Sequence, residues 1–281
     1  MKVIRKNIVT IFLIVSIFWI ALLFNSCTIG SGSGSGFNIY PVSEDIRIGK
    51  ELSLEIKKNP KEYPLNNNSK VKNYLQSIID EIIKAPEIQY RGVFEYKVEV
   101  INDDYVINAF AAPGGYIYVY TGLLKFVDNE ATLAAVLAHE VAHAERRHTT
   151  QRMSKAYGMK ILSDLYMEKN KNQTSELLTN MFTGLSLLSN SREDELEADE
   201  YSFKYLKSTK WYPGSIKFFF NKIIGNVGSS GSSFEALLST HPLPKDRIDA
   251  VGQLLKTHQI PPPTEYNTNF RQYQEFIQSI K

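Results

Sequence analysis

Apolar residues recur at helical spacing over 43–58, where Ile46, Ile48, Leu52 and Ile56 share a face and Ser43 stands as a cap. The same logic predicts a helix over 69–84. There Val71, Leu75, Ile78, Ile79, Ile82 and Ile83 form a stripe, and Pro86 stops it. Then the period drops to two. Residues 93–100 alternate, Asn102-Asp103-Asp104 and Pro113-Gly114-Gly115 are turns, and 105–107 and 116–120 are rich in Val, Ile and Tyr. Three short strands are predicted. Beyond them the spacing is helical over 130–148, 150–169, 174–189, 192–208, 213–224 and 244–257. A small antiparallel sheet followed by a run of helices predicts an α+β fold, mostly helical, in one domain over 43–258. The run Pro261-Pro262-Pro263 opens a separate C-terminal arm, 259–281, whose Tyr266, Phe270, Tyr273, Phe276 and Ile277 suggest a docking helix.

The first 27 residues follow a different pattern. Lys2, Arg5 and Lys6 precede an apolar run over 8–24, and Asn25-Ser26-Cys27 ends it. This is the layout of a secretory signal, with a retained membrane anchor as the competing reading. The small residue before Cys27 resembles a bacterial lipobox, in which the cysteine becomes the acylated N-terminus. Residues 1–27 are therefore expected to be a lipoprotein signal peptide. The Gly/Ser stretch that follows makes 28–42 a flexible linker. On either reading the folded body is exported and tethered to a membrane.

Composition narrows the classes. A 281-residue chain with 43% apolar residues can build a core, and 22% charged residues with 16 Gly and 11 Pro exclude disordered, collagen-like and coiled-coil chains. A single cysteine excludes an internal disulfide and any Cys-rich zinc framework. The formal charge is +2, and Lys2, Arg5 and Lys6 lie outside the expected folded body, which is then close to neutral. A neutral body without basic blocks is not a nucleic-acid binder.

The chemistry is concentrated in Leu137-Ala138-His139-Glu140-Val141-Ala142-His143. His139 and His143 stand four apart, so both project from one helix face and can bind one metal ion, with Glu140 beside them as a base. A surface helix with scattered His and Glu fits poorly, because 131–142 is strongly apolar. A hydrolytic zinc needs a third protein ligand. His148, five residues past His143, is expected on another face and exposed. Glu193 and Asp194 read as complements to a helix dipole. Glu195 and Asp199, at i and i+4, repel each other without a cation. Glu195 as ligand, with Asp199 behind it orienting His139 or a nearby group, resolves that repulsion.

With these residues the chain resembles the HEXXH…EXXXD gluzincins of metallopeptidase family forty-eight, which includes HtpX, the CAAX prenyl proteases and exported bacterial lipoprotein proteases. The stretches Asn108-Ala109-Phe110-Ala111-Ala112-Pro113-Gly114-Gly115, Thr121-Gly122-Leu123-Leu124 and Ser239-Thr240-His241-Pro242, with Arg247 beyond, match the family's pattern, so the resemblance covers about 43–257. It implies a minigluzincin-like domain with one Zn2+ on His139, His143 and Glu195, and Glu140 as general base. It also implies that the strand bearing Tyr116, Tyr118 and Tyr120 is the edge on which a substrate peptide adds. The plainer reading of those tyrosines is a half-exposed strand face. Arg247 is open between an oxyanion stabiliser, a helix-surface arginine and an ion pair to Glu195 or Asp199. His241 either caps the helix near 244 or fills zinc's fourth position as a plug. The multi-span helices of HtpX are missing, which favours an exported, periplasm-facing endopeptidase acting on unfolded or misassembled proteins. A chaperone or assembly factor with a dormant zinc site is the alternative. A third reading, a non-catalytic metal-binding lipoprotein, has no use for Glu140. Oligomeric state and natural substrate leave no signature in the sequence.

Overall fold

The computed structural model describes residues 36–156, 189–226, 231–242 and 245–280. The expected signal peptide with Cys27, most of the 28–42 linker, and most of the predicted helices over 150–169 and 174–189 lie outside the described residues. Helix α1 (Val42–Lys58) buries Ile48, Leu52 and Ile56, and α2 (Ser69–Ile82) buries Val71, Leu75, Ile78, Ile79 and Ile82. Asn68 caps α2 by accepting a hydrogen bond from the Lys70 amide.

Three strands follow: β1 (Lys97–Ile101), β2 (Ala109–Ala112) and β3 (Tyr116–Tyr120), in spatial order β1-β3-β2. The α+β class stands, but the sheet is mixed: β1 pairs with β3 in parallel, and β2 pairs with it antiparallel. No strand covers 105–107, where Tyr105 is 85% exposed. The strand lies two residues further on, in an alanine-rich segment of little intrinsic β preference that pairing with β3 imposes. The hairpin between β2 and β3 turns on Gly114 (φ 73°) and Gly115 (φ 85°). At Gly115 a Cβ would also lie 2.9 Å from the Tyr96 amide nitrogen.

The strand order corrects one expectation. β3 is the central strand, paired on both sides, so the backbone of Tyr116, Tyr118 and Tyr120 has no free edge for a substrate. Tyr116 and Tyr118 are buried as well, which removes the half-exposed face too. The edge strands are β1 and β2.

Helix α3 (Glu130–Glu145) is the centre of the core, buried at every position. Its sequence is apolar or small on all sides through 131–138, the pattern of a helix surrounded by protein. Helix α4 (Arg192–Lys207) packs along it, with Ala198 fully buried and the Ser202 hydroxyl donating to the Ala135 carbonyl at 3.0 Å. Helices α5 (Ile216–Asn226) and α6 (Lys245–Thr257) complete this side. The Pro-begun arm folds back as α7 (Phe270–Ser279), where Tyr273 donates to the Leu124 carbonyl at 2.6 Å and Phe276 stacks on Tyr74. The segment Gly36–Lys281 is one compact unit. No helix among the described residues is long and apolar enough to cross a membrane.

Candidate active site

Helix α3 sets His139 and His143 one turn apart, and their Nε2 atoms face each other at 2.9 Å. Glu195 enters from the first turn of α4, where Ser191 and Asp194 form a reciprocal capping box that fixes the start of the helix. Its Oε2 lies 3.4 Å from His139 Nε2 and its Oε1 3.3 Å from His143 Nε2. His241 arrives at the end of the short helix Glu235–Thr240, with Nδ1 3.0 Å from Glu195 Oε1 and Nε2 3.7 Å from Glu140 Oε1. One ligand atom from each of His139, His143, Glu195 and His241 lies within 4.8 Å of the others. Three nitrogens and a carboxylate oxygen are a donor set suited to a divalent ion of the zinc type. Among the described residues Glu140 Oε2 is buried with no hydrogen-bond partner, and it faces the same cleft.

The electrostatics call for a cation. Burial opposes protonation of His139, yet hydrogen bonds and charge from Asp199 and Glu195 overcome it and raise that imidazole to about 9. Burial drives His143 well below its ordinary value, and positive charge on His139 adds to this. Burial pushes the Glu140 carboxyl up, with His241 and His139 pulling the other way. For Glu195 burial also pushes up, but His241, Arg247 and His139 hold it well below the usual carboxylate range. Two buried carboxylates thus draw a proton onto the pocket. A metal ion supplies the same positive charge where the nitrogens already converge.

Behind the ligands lies a layer the sequence showed only in part. Asp199 Oδ1 is 2.9 Å from His139 Nδ1, the far side of that ring. Arg247 is 1% exposed and grips Asp199 with two hydrogen bonds, at 2.6 and 2.7 Å. Its third nitrogen lies 2.5 Å from Glu195 Oε2 and donates to the Pro242 carbonyl at 2.9 Å. Of the three readings of Arg247, its burial excludes the helix surface, and the geometry is that of the ion pair, made to both acids at once. His148 is not exposed. It is 1% accessible, and its Nδ1 lies 2.8 Å from His143 Nδ1. The expectation failed because α3 ends at Glu145: Arg147 takes the left-handed conformation (φ 59°), and the turn brings His148 back to the site.

Asn190 was missed altogether. Its amide nitrogen donates to Glu195 Oε1 at 2.6 Å and sits 3.2 Å from His241 Nδ1, while Arg152 donates to its oxygen. The only sequence signal was a polar residue directly before a helix cap. Beside Glu140 lies a small cleft lined by Val136, Ile216, Phe219, Phe220 and His241.

The sequence profile of peptidase family M48 matches residues 69–255. The mitochondrial metalloendopeptidase OMA1 of Saccharomyces cerevisiae is 28% identical over 229 residues, covering 78% of this chain and 64% of its own length. The beta-barrel assembly-enhancing protease of Escherichia coli (strain K12) is 26% identical over 228 residues, 78% of this chain and 45% of its own. The Arabidopsis thaliana OMA1 is 32% identical over 158 residues, 56% of this chain and 31% of its own. The chain thus spans less than two thirds of the length of these relatives.

Proposed function

Because this chain belongs to peptidase family M48, we propose that it is a zinc-dependent endopeptidase of the bacterial cell envelope that cleaves unfolded or misassembled polypeptides. The observation that carries this reading is the convergence of His139, His143, Glu195 and His241 beside the buried Glu140. His139, His143 and Glu195 are the residues that would hold the ion. Zinc there would polarise the scissile carbonyl and acidify the attacking water. Glu140, its carboxyl pushed up by burial, takes the proton from that water and returns it to the leaving amine. The substrate adds as an extra strand on the outer edge of β2, beside Glu140, with which the Ala111 backbone interacts. Main-chain pairing of that kind ignores side chains and requires an extended segment, which favours unfolded substrates. Apolar side chains fit the Val136 and Phe219 wall of the cleft.

The relatives support the chemistry, being by name a metalloendopeptidase and a protease, and the envelope location rests on the export signal expected in residues 1–27. Acylation at Cys27 would hold the domain at the periplasmic face. The test is cleavage of unfolded casein by the chain purified from membranes. Cleavage should stop on chelation and return with zinc, and radioactive palmitate should label the same chain through Cys27. Casein that is bound but not cut, with zinc in place, would favour the chaperone reading.

His241 makes the resting enzyme latent. Its imidazole stands between Glu195 and Glu140, where a fourth ligand would displace the attacking water. Tenfold latency needs only about 1.4 kcal/mol in favour of the closed arrangement. Peptidase activity of His241→Ala should therefore rise, self-cleavage included, with zinc content unchanged. A fall in activity with zinc retained would make His241 a substrate-binding residue instead.

A further inference from the structure

Each ligand histidine needs its far ring nitrogen held if the near one is to present a lone pair in a fixed direction. Asp199 faces that nitrogen of His139, and His148 faces that of His143. The two rings meet edge to face, centroids 5.0 Å apart, with Nδ1 opposite Nδ1 at 2.8 Å. One hydrogen lies between them. With His143 Nε2 aimed at the ligand cluster, that hydrogen belongs to His143 Nδ1, and His148 accepts it. The hydrogen of His148 is then on Nε2, which lies 3.0 Å from Glu197 Oε2. Glu197 Oε1 in turn accepts from Arg146 Nε at 2.8 Å. Every donor along this line meets an acceptor. The reverse tautomers would set a ring lone pair against a carboxylate oxygen.

The backbone is shaped for this contact. Arg147 holds a left-handed turn that costs about 1–2 kcal/mol in a residue other than glycine. Its guanidinium is clamped to the buried Asp45 by bonds of 2.6 and 2.9 Å, and Thr150 donates to the same carboxylate. This left-handed turn, tied down by an ion pair to a buried carboxylate, brings His148 back against His143.

We propose that His148 is the positioning residue for His143, an imidazole relaying to Glu197 and Arg146 in the place where a carboxylate stands behind His139. The proposal rests on the metal-site reading above. Its test uses the full-length chain loaded with Co2+, read by the visible d–d bands and by the rate of metal loss to a chelator. His148→Phe keeps the ring and volume but cannot accept. It should release the metal about 10–100-fold faster, with shifted bands. His148→Asn, whose side-chain oxygen can stand near the position of Nδ1, should recover most of the loss. A Phe variant with wild-type release and unshifted bands, or an Asn variant no better than Phe, overturns the proposal. If His148→Phe does not fold, Glu197→Leu, which cannot accept from His148 Nε2, decides. Faster release and shifted bands support the relay, and no change in either measure overturns it. A wild-type chain that takes up no Co2+ overturns the metal-site reading itself.

Discussion

Replacing Glu140 by Gln should lower casein cleavage by about 10²–10⁴-fold, the range that a positioned general base supplies, while zinc content and melting temperature hold. The shape of the side chain is unchanged, so the packing of α3 against α4 and β2 is kept. What is lost is the ability to take and return a proton. Metal content should hold because the converging ligand atoms come from His139, His143, Glu195 and His241, not from Glu140. Stability should hold or rise, since burial already disfavours the ionised carboxyl. Single-turnover cleavage with the zinc content measured on the same sample is the check. Wild-type cleavage by the zinc-loaded Gln variant would remove Glu140 from the mechanism.

The second large effect is on stability. Arg247→Met keeps much of the side-chain volume but leaves Asp199 and Glu195 buried without their guanidinium, which also lies over the Phe220 ring. Breaking a buried ion pair by removing one partner costs about 3–5 kcal/mol. For a domain of this size that lowers the melting temperature by on the order of 10 °C. Arg247→Lys should recover only part of the loss, because an ammonium cannot make the two-pronged contact to Asp199. The metal-free protein should suffer most, since a bound cation offsets the exposed negative charge. Melting curves with and without zinc test this. An Arg247→Met variant that melts with the wild type in both states would show that the clamp is not structural.

The helices and the front of the site were legible because each left a local, periodic mark. Val71 to Ile82 repeats at helical spacing, and His139 and His143 share a face whatever else the chain does. Glu195 and Asp199 were legible through repulsion that only a cation could relieve. What was not legible depends on where the chain turns. β2 is an alanine-rich strand formed by its neighbour, so the sequence pattern places a strand too early, at 105–107, while the edge position of β3 was implied only by the family resemblance and is corrected by its pairing on both sides. His148 was assigned to an exposed face by continuing a helix that Arg147 ends. Asn190 and Glu197 reach the site only through tertiary contact, which has no period to read.

The buried clamp around Arg247 also sets the order in which the pocket is assembled. Its centre is assembled from three stretches, His139–His143, Glu195–Asp199 and His241–Arg247, separated by about fifty residues at each step. During synthesis the first two histidines emerge long before the carboxylate that joins them, and the arginine that holds that carboxylate emerges last. Contacts this distant close late in folding, after the local helices have formed. Until Arg247 arrives, Asp199 and Glu195 lack the guanidinium that holds them in the folded protein.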